Sequence, residues 1–233
     1  MNSIASMIDH TFLKSDGTAA DIARLCREAK KHRFASVCVH PAEVARCTRL
    51  LRGSGVKVCT VVGFPLGRSK QGTLLWEACE AIEDGAAELD FVIDVTRIKE
   101  VAKRGMKSPA GTKYLAEWLA ILGVARTRRK DVVTKLIIEC CFLTDSEKAF
   151  ACRFAKEAGF DFVKTSTGFG TGGATVRDVR LMRRTVGRKM GVKAAGGIRT
   201  YADALAMVKA GATRLGCSAG VAIVREEAQK QEH

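Results

Sequence analysis

The chain has 233 residues, of which 47% are hydrophobic and 27% are charged, and this composition is that of an ordinary soluble globular protein. It excludes a disordered, collagen-like or coiled-coil chain, and no apolar run reaches the ~18 residues that a membrane-spanning helix needs. The formal net charge of +14 favours anionic partners, which include nucleic acid, an acidic membrane and phosphorylated substrates.

Short β-rich apolar runs alternate along the chain with amphipathic stretches of helical length. The predicted strands span 8–13, 36–40, 56–62, 89–95, 132–139, 161–165, 192–195 and 212–218. The predicted helices span 18–32, 42–52, 70–85, 98–128, 145–159, 174–187, 201–211 and 221–230. This alternation predicts an α/β protein, a (β/α)8 TIM barrel folded as a single domain over residues 1–233. A doubly wound parallel sheet shows the same local alternation and is the competing architecture.

Two lysines interrupt apolar strands in which lysine is uncommon. Lys164 lies near the end of the sixth predicted strand and Lys193 lies in the seventh, and a glycine-rich turn follows each strand. One interpretation is that both side chains extend from the strand ends into solvent. The alternative is an amine nucleophile with a second cation beside it, because a neighbouring positive charge disfavours protonation of the first amine. Since barrel enzymes carry their catalytic residues at the carboxyl ends of strands, the second interpretation is favoured.

Acidic residues also occur in the fourth and fifth predicted strands. Asp90 lies in the fourth predicted strand, where alternation places it on the same face as Glu88. An acid inside a barrel strand either pairs with a lysine or acts as a general acid/base, and the two roles are compatible. Lys135 and Glu139 are four residues apart on the fifth predicted strand, so we expect them to share one face and to extend a charged network inside the barrel.

The glycine-rich turns point to a phosphate site. The segment 168–173 formally matches the dinucleotide-binding pattern G-x-G-x-x-G, but the acid expected about 20 residues later is missing. A P-loop is rejected as well, because Ala174 replaces its essential lysine. Barrels commonly bind phosphate with the loops that follow their last strands. The predicted phosphate-binding residues are Thr167, Gly168, Gly196, Gly197 and Ser218.

The cysteines, the histidines and the remaining strand-end residues are expected to have roles outside the chemical step. The nine cysteines form no C-x-x-C pair, so we predict reduced thiols and no metal site. Asp9 and Cys38, near the ends of the first two predicted strands, are further pocket candidates together with Lys135 and Glu139, whereas His10 and His40 should pack or hydrogen-bond. Asp94 should lie in a loop or cap a helix. The amino terminus lacks the basic and apolar regions of a signal peptide, which argues against secretion, and a cytoplasmic location is the default expectation.

Taken together, these segments resemble the deoxyribose-phosphate aldolases, a family of class I, Schiff-base-forming aldolases. The matching blocks lie in order across nearly the whole chain, and those around Lys164 and Lys193 are highly specific. They span 8–14, 37–39, 60–67, 88–90, 135–139, 161–174, 191–200 and 214–220. Two departures are Ser15, where the family usually has proline, and Ala219, which removes one phosphate-binding hydroxyl.

The resemblance implies an aldehyde-lyase that reversibly cleaves 2-deoxy-D-ribose 5-phosphate into D-glyceraldehyde 3-phosphate and acetaldehyde, in deoxyribonucleotide catabolism. It implies that Lys164 forms the Schiff base, that Lys193 tunes this lysine and assists proton transfer, and that Asp90 is the general acid/base. The phosphate would bind at Thr167-Gly168, Gly196-Gly197 and Ser218. No metal or organic cofactor would be needed.

Two other functions remain open. One is a Schiff-base aldolase for a different phosphorylated aldehyde, which substrate competition would distinguish. The other is nucleic-acid binding, suggested by the net charge and by the basic cluster at 126–130. The chain lacks an RRM, KH or zinc signature, and only 6% of its residues are aromatic. We therefore predict a phosphorylated sugar as substrate, no nucleic-acid or membrane partner, and a homodimer or homotetramer.

Overall fold

The computed structural model describes residues 3–231, so both ends of the predicted domain, including the first two residues, lie outside the described residues. Eight parallel strands close into a barrel in chain order, and β8 pairs with β1. The strands are β1 Ile8–Thr11, β2 Ser36–Val39, β3 Lys57–Val62, β4 Glu88–Val92, β5 Val133–Ile137, β6 Phe162–Lys164, β7 Gly191–Ala195 and β8 Arg214–Cys217. The predicted (β/α)8 barrel is therefore confirmed, and the doubly wound sheet is wrong.

Helices on the outside of the barrel connect the strands. They are α1 Ala19–His32, α2 Val44–Leu51, α3 Gln71–Glu83, α4 Val95–Arg104, α5 Pro109–Arg128, α6 Asp145–Ala158, α7 Val176–Val186, α8 Tyr201–Ala210 and α9 Gly220–Gln231. In α6 the Thr144 side chain accepts a hydrogen bond from the Glu147 backbone N–H, while the Glu147 side chain accepts one from the Thr144 N–H. Within residues 3–231, none of these helices is both long and apolar enough to cross a membrane.

The single helix predicted over 98–128 is wrong, because this region contains two helices. The first, α4, ends at Arg104, and Gly105 follows it with a φ of 89°. The second, α5, starts with Pro109 in its first turn, and the Ser108 hydroxyl caps it by accepting a hydrogen bond from the Gly111 N–H. Asp94 caps the start of α4, as predicted. Start and stop signals inside the region thus override its continuous amphipathic pattern.

Alternation along β4 divides the residues between two environments. Phe91 faces the helices, where its ring lies 5.7 Å from that of Trp118 and 5.9 Å from that of Phe160. Glu88 and Asp90 face the barrel interior, where they contact lysine side chains. The apolar core therefore lies between the strands and the helices, and the interior of the barrel is left for charged groups.

Candidate active site

The side chain of Asp90 joins three lysines in the barrel interior. Its Oδ2 atom lies 2.7 Å from Lys164 Nζ and 2.7 Å from Lys193 Nζ, and its Oδ1 atom lies 2.9 Å from Lys135 Nζ. Lys164 and Lys193 are register partners on adjacent strands, β6 and β7. The exposed fraction of all four side chains is 3% or less. The structure therefore brings together the three predicted catalytic residues and excludes the interpretation that both lysines extend into solvent.

The charges in this cluster stabilise one another. Burial would raise the pKa of Asp90, but the ammonium groups of Lys135, Lys164 and Lys193 hold that pKa well below its ordinary value. Burial would lower the pKa of Lys193, but the carboxylates of Asp9 and Asp90 raise it instead. Asp90 is therefore a carboxylate and Lys193 a cation over the whole physiological pH range. Lys193 thus supplies the fixed second cation expected beside Lys164.

A cavity of about 340 Å³ opens at the carboxyl ends of the strands, above this cluster. Lys164 is the member of the cluster that lines the cavity. All five residues predicted to bind phosphate also line it, namely Thr167, Gly168, Gly196, Gly197 and Ser218. A larger cleft of about 650 Å³ lies at the amino ends of β6 and β7, and its lining includes no residue of the lysine cluster. The smaller cavity is therefore the candidate active site.

The backbone around the cavity suits an anion. Gly196 and Gly197 have φ values of 86° and 81°, a left-handed conformation that residues with a Cβ rarely adopt. Ser218 lies two residues before the start of α9, so the amino-terminal end of that helix lies next to the cavity. Helix amino termini carry a partial positive charge and unpaired N–H groups, which stabilise bound phosphate.

Sequence reasoning missed two cationic residues of the cavity. Lys14, which follows β1, and Arg199, which follows the Gly196-Gly197 turn, both line it. Their side chains are exposed and can place positive charge near a bound phosphate. Arg199 could have been predicted from the sequence, because it lies two residues after the predicted phosphate-binding turn Gly196-Gly197. Lys14 had no such signal, since loops after strands commonly carry an exposed lysine.

The further pocket candidates Asp9, Cys38 and Lys135 do not line the cavity but lie beneath it, fully buried. Asp9 contacts Lys193, and its Oδ1 atom accepts a hydrogen bond of 2.7 Å from the Ser36 hydroxyl. Cys38 belongs to a small apolar cluster under the mouth of the barrel. These three residues therefore act on a substrate only through the side chains above them.

The placement predicted for Glu139 is wrong. Strand β5 ends at Ile137, and Glu139 follows it with a left-handed φ of 53°, so it does not share the face of Lys135. Its carboxylate instead accepts hydrogen bonds from Thr167, at 2.5 Å from the hydroxyl and 3.2 Å from the backbone N–H. Glu139 therefore positions Thr167 in the turn after β6, which is the turn predicted to bind phosphate.

The histidines and thiols have structural roles. His10 Nε2 lies 2.7 Å from Glu28 Oε2, and His40 Nε2 donates to the Leu13 carbonyl at 3.0 Å, so the predicted hydrogen-bonding roles are confirmed. All nine cysteines, which fall within the described residues, are free thiols. Cys38, Cys59 and Asp90 group potential metal ligands within 4.8 Å, but the Asp90 oxygens already contact ammonium groups. The absence of a metal stays a prediction.

The chain is similar to known aldolases over nearly its whole length. The sequence model described as DeoC/LacD family aldolase matches residues 3–230. A deoxyribose-phosphate aldolase of Carboxydothermus hydrogenoformans is 53% identical over 222 residues, which cover 95% of this chain and 94% of that protein. The tetrameric deoxyribose phosphate aldolase from Aeropyrum pernix is 32% identical with a TM-score of 0.86, over 97% of this chain and 92% of that chain. The chain therefore belongs to the DeoC/LacD family of aldolases.

Proposed function

We propose that this protein is a 2-deoxy-D-ribose 5-phosphate aldolase that acts through a Schiff base on Lys164. The observation that carries this proposal is the position of Lys164, which lines the cavity while its amine contacts a buried carboxylate that also binds a second lysine. The name of the relatives, deoxyribose-phosphate aldolase, indicates the substrate class, and the glycine turns and Ser218 that line the cavity suit a phosphate group. The enzyme is an aldehyde-lyase.

The reaction starts with the open-chain form of the sugar. The lone pair of Lys164 Nζ attacks the C1 aldehyde, and the carbinolamine loses water to give a protonated imine. The C3 hydroxyl then loses its proton, the C2–C3 bond breaks, and its electron pair moves into the imine to form an enamine. D-glyceraldehyde 3-phosphate leaves at this point. Protonation of the enamine at C2 and hydrolysis of the resulting imine release acetaldehyde and restore the amine.

Lys193 and Asp90 support these steps from below the cavity. The ammonium group of Lys193 lies beside that of Lys164, since both Nζ atoms are 2.7 Å from Asp90 Oδ2, and a neighbouring positive charge disfavours the protonated form of an amine. Asp90 Oδ2 lies 2.7 Å from Lys164 Nζ. It is close enough to exchange a proton with this amine directly, or with the substrate through a water molecule. The pKa of Asp90 lies well below its ordinary value, so Asp90 is a weak base by itself. Lys193, a cation at rest in contact with Asp90 Oδ2, can take part in proton transfer only as a donor.

We expect the phosphate group of the substrate to bind at the glycine turns and Ser218 that line the cavity. We expect Ser218→Ala to raise the KM for 2-deoxyribose 5-phosphate about fivefold, because one hydrogen bond contributes about 1 kcal/mol. The kcat should stay within a factor of two of wild type. Steady-state kinetics with unphosphorylated 2-deoxyribose provide the control, since that substrate has no phosphate to bind. An equal loss with both sugars would place Ser218 outside the phosphate site.

Borohydride trapping tests the proposed function directly. The folded protein is incubated with 2-deoxyribose 5-phosphate or acetaldehyde, reduced, and mapped by peptide mass spectrometry. A reduced adduct on the peptide that contains Lys164 is expected. An adduct on Lys193 would exchange the roles of the two lysines, and an absence of adduct would contradict the aldolase mechanism. Trapping only with other phosphorylated aldehydes would identify a Schiff-base aldolase of different substrate.

The assembly and the location of the enzyme complete the proposal. A homodimer or homotetramer is in keeping with the tetrameric structure of the Aeropyrum pernix relative, and light scattering measures the mass in solution. The nine free thiols are typical of a reducing compartment, which favours the cytoplasm. No cofactor enters the reaction above, and no nucleic-acid or membrane partner is required by it.

A further inference from the structure

Six charged side chains in the barrel interior form a closed ring in which acids and bases alternate. In order round the ring they are Asp90, Lys193, Asp9, Arg214, Glu88 and Lys135. Five of the six contacts have these nitrogen–oxygen distances: Asp90–Lys193 2.7 Å, Asp9–Arg214 2.6 Å, Arg214–Glu88 2.9 Å, Glu88–Lys135 2.6 Å and Lys135–Asp90 2.9 Å. Lys193 and Asp9 are also in direct contact and complete the ring.

Three acids and three bases make this ring electrically neutral. Its members come from five strands, and all are almost completely buried except Arg214, whose side chain is 15% exposed. Lys164 is attached to the ring at Asp90 Oδ2, as a seventh charge. Among residues 3–231, Lys164 is therefore the interior ammonium group whose charge the ring does not balance. Lys164 is the amine that must lose its proton in the proposed mechanism, and it shares Asp90 with the ring instead of having a counter-ion of its own.

We propose that Glu88 and Arg214 are positioning residues that keep the ring neutral and thereby set the proton balance of Lys164. Both lie at the start of their strands, β4 and β8, and neither is among the residues that line the cavity. They act through Asp9, Lys135 and the other ring members rather than on the substrate. This inference rests on the proposed function, because it assigns the control of the same amine to residues remote from it.

Other charged and titratable groups surround Lys164 but do not change between the variants considered below. They are the thiols of Cys38 on β2 and Cys59 on β3, the carboxylate of Glu139 after β5, and the exposed Lys14 and Arg199 at the mouth of the cavity. Burial and the charge of Asp90 raise the pKa of the Cys59 thiol well above its ordinary value, so Cys59 stays neutral. The variants below therefore change the net charge of the ring and leave these other groups in place.

Replacing one member of the Glu88–Arg214 pair should shift the pH dependence in a direction set by the sign of the lost charge. Glu88→Gln leaves the ring with one excess positive charge, which disfavours the protonated form of Lys164. Activity should then persist to lower pH, with the acid limb shifted down by about one pH unit for a charge about 10 Å away. Arg214→Gln leaves one excess negative charge, and the acid limb should shift up by about one pH unit.

The rate of borohydride trapping with acetaldehyde, measured against pH, reports this balance at Lys164 itself. Opposite shifts in Glu88→Gln and Arg214→Gln support the inference. The double variant Glu88→Gln/Arg214→Gln has a neutral ring and should regain the wild-type midpoint. Matched controls are Glu83→Gln and Arg128→Gln, which remove the members of an ion pair between α3 and α5 and should shift nothing.

Each of the other outcomes contradicts either this inference or the proposed function. Unshifted midpoints, or shifts of the same sign accompanied by a lower Tm, would show that Glu88 and Arg214 act only in folding and would overturn the inference. If a single variant does not fold, the double variant still tests it, since a midpoint away from wild type contradicts control by ring charge. Failure to trap any adduct on the wild-type protein would overturn the proposed function instead.

Discussion

Lys164→Ala is expected to abolish aldolase activity, by more than about four orders of magnitude in kcat/KM. The amine of Lys164 is the nucleophile of the proposed mechanism, and it is the only one of the clustered lysines that lines the cavity. Lys135 and Lys193 are fully buried, and carboxylates hold each of them as a cation. Neither can therefore replace it as the group that forms the imine.

The variant Lys164→Arg separates the nucleophile from its charge. A guanidinium group can still contact Asp90 but is not nucleophilic at neutral pH, so this variant should be as inactive as Lys164→Ala while folding like wild type. Assays couple acetaldehyde release to a reporter reaction, and circular dichroism establishes the fold. Lys209→Ala on α8 serves as a surface control with unchanged activity. Turnover above background in both Lys164 variants would rule out the Schiff base at this position.

The barrel was predictable from sequence because its alternating pattern is local. Strand runs and helix caps, such as Thr144 before α6, are set within a few residues, and eight repeats determine the architecture. The break before Pro109 is encoded by equally local signals, Gly105 after α4 and the Ser108 cap of α5, although one long helical region was predicted there. That residues 1–233 fold as a single unit stays a prediction.

The site was predicted less completely than the fold, for geometric reasons. Asp90, Lys164 and Lys193 could be identified because charged residues are uncommon in apolar strands. The contact of Arg214 with Glu88 could not, since β8 and β4 lie on opposite sides of the barrel and their meeting depends on strand tilt and closure. Glu139 was misplaced because the chain leaves β5 with a left-handed residue, for which glutamate gives no signal.

Burying seven charges is costly unless each group finds partners of opposite sign. Removing an ion from water without a partner costs several kcal/mol even after relaxation, so a buried carboxylate or ammonium must be paired. In the ring every acid contacts two or more cations, and Asp9 has a hydroxyl donor as well. The neutral ring therefore permits one further amine, that of Lys164, to lie beside these buried charges at the floor of the cavity.

Lys193→Leu is expected to fold but to lose about two to three orders of magnitude of activity at neutral pH. Without this cation the ring carries one excess negative charge, and Lys164 becomes the counter-ion that Asp90 needs, so it keeps its proton. A unit charge about 5 Å away at an effective dielectric constant of about 20 changes the proton equilibrium by about two pH units. Activity should therefore recover in part as the pH rises above neutrality.

The pH profile of kcat/KM distinguishes this electrostatic effect from a packing defect. Lys193→Arg retains the positive charge and should keep its acid limb near that of wild type, whereas Lys193→Leu should move it to higher pH. Combining Lys193→Leu with Glu88→Gln removes one charge of each sign, so the acid limb should move back toward wild type. Full activity of Lys193→Leu at neutral pH would show that Lys164 loses its proton without a neighbouring cation. If the acid limb stays at the wild-type pH and kcat falls equally at every pH, Lys193 would act in proton transfer and not through its charge on Lys164.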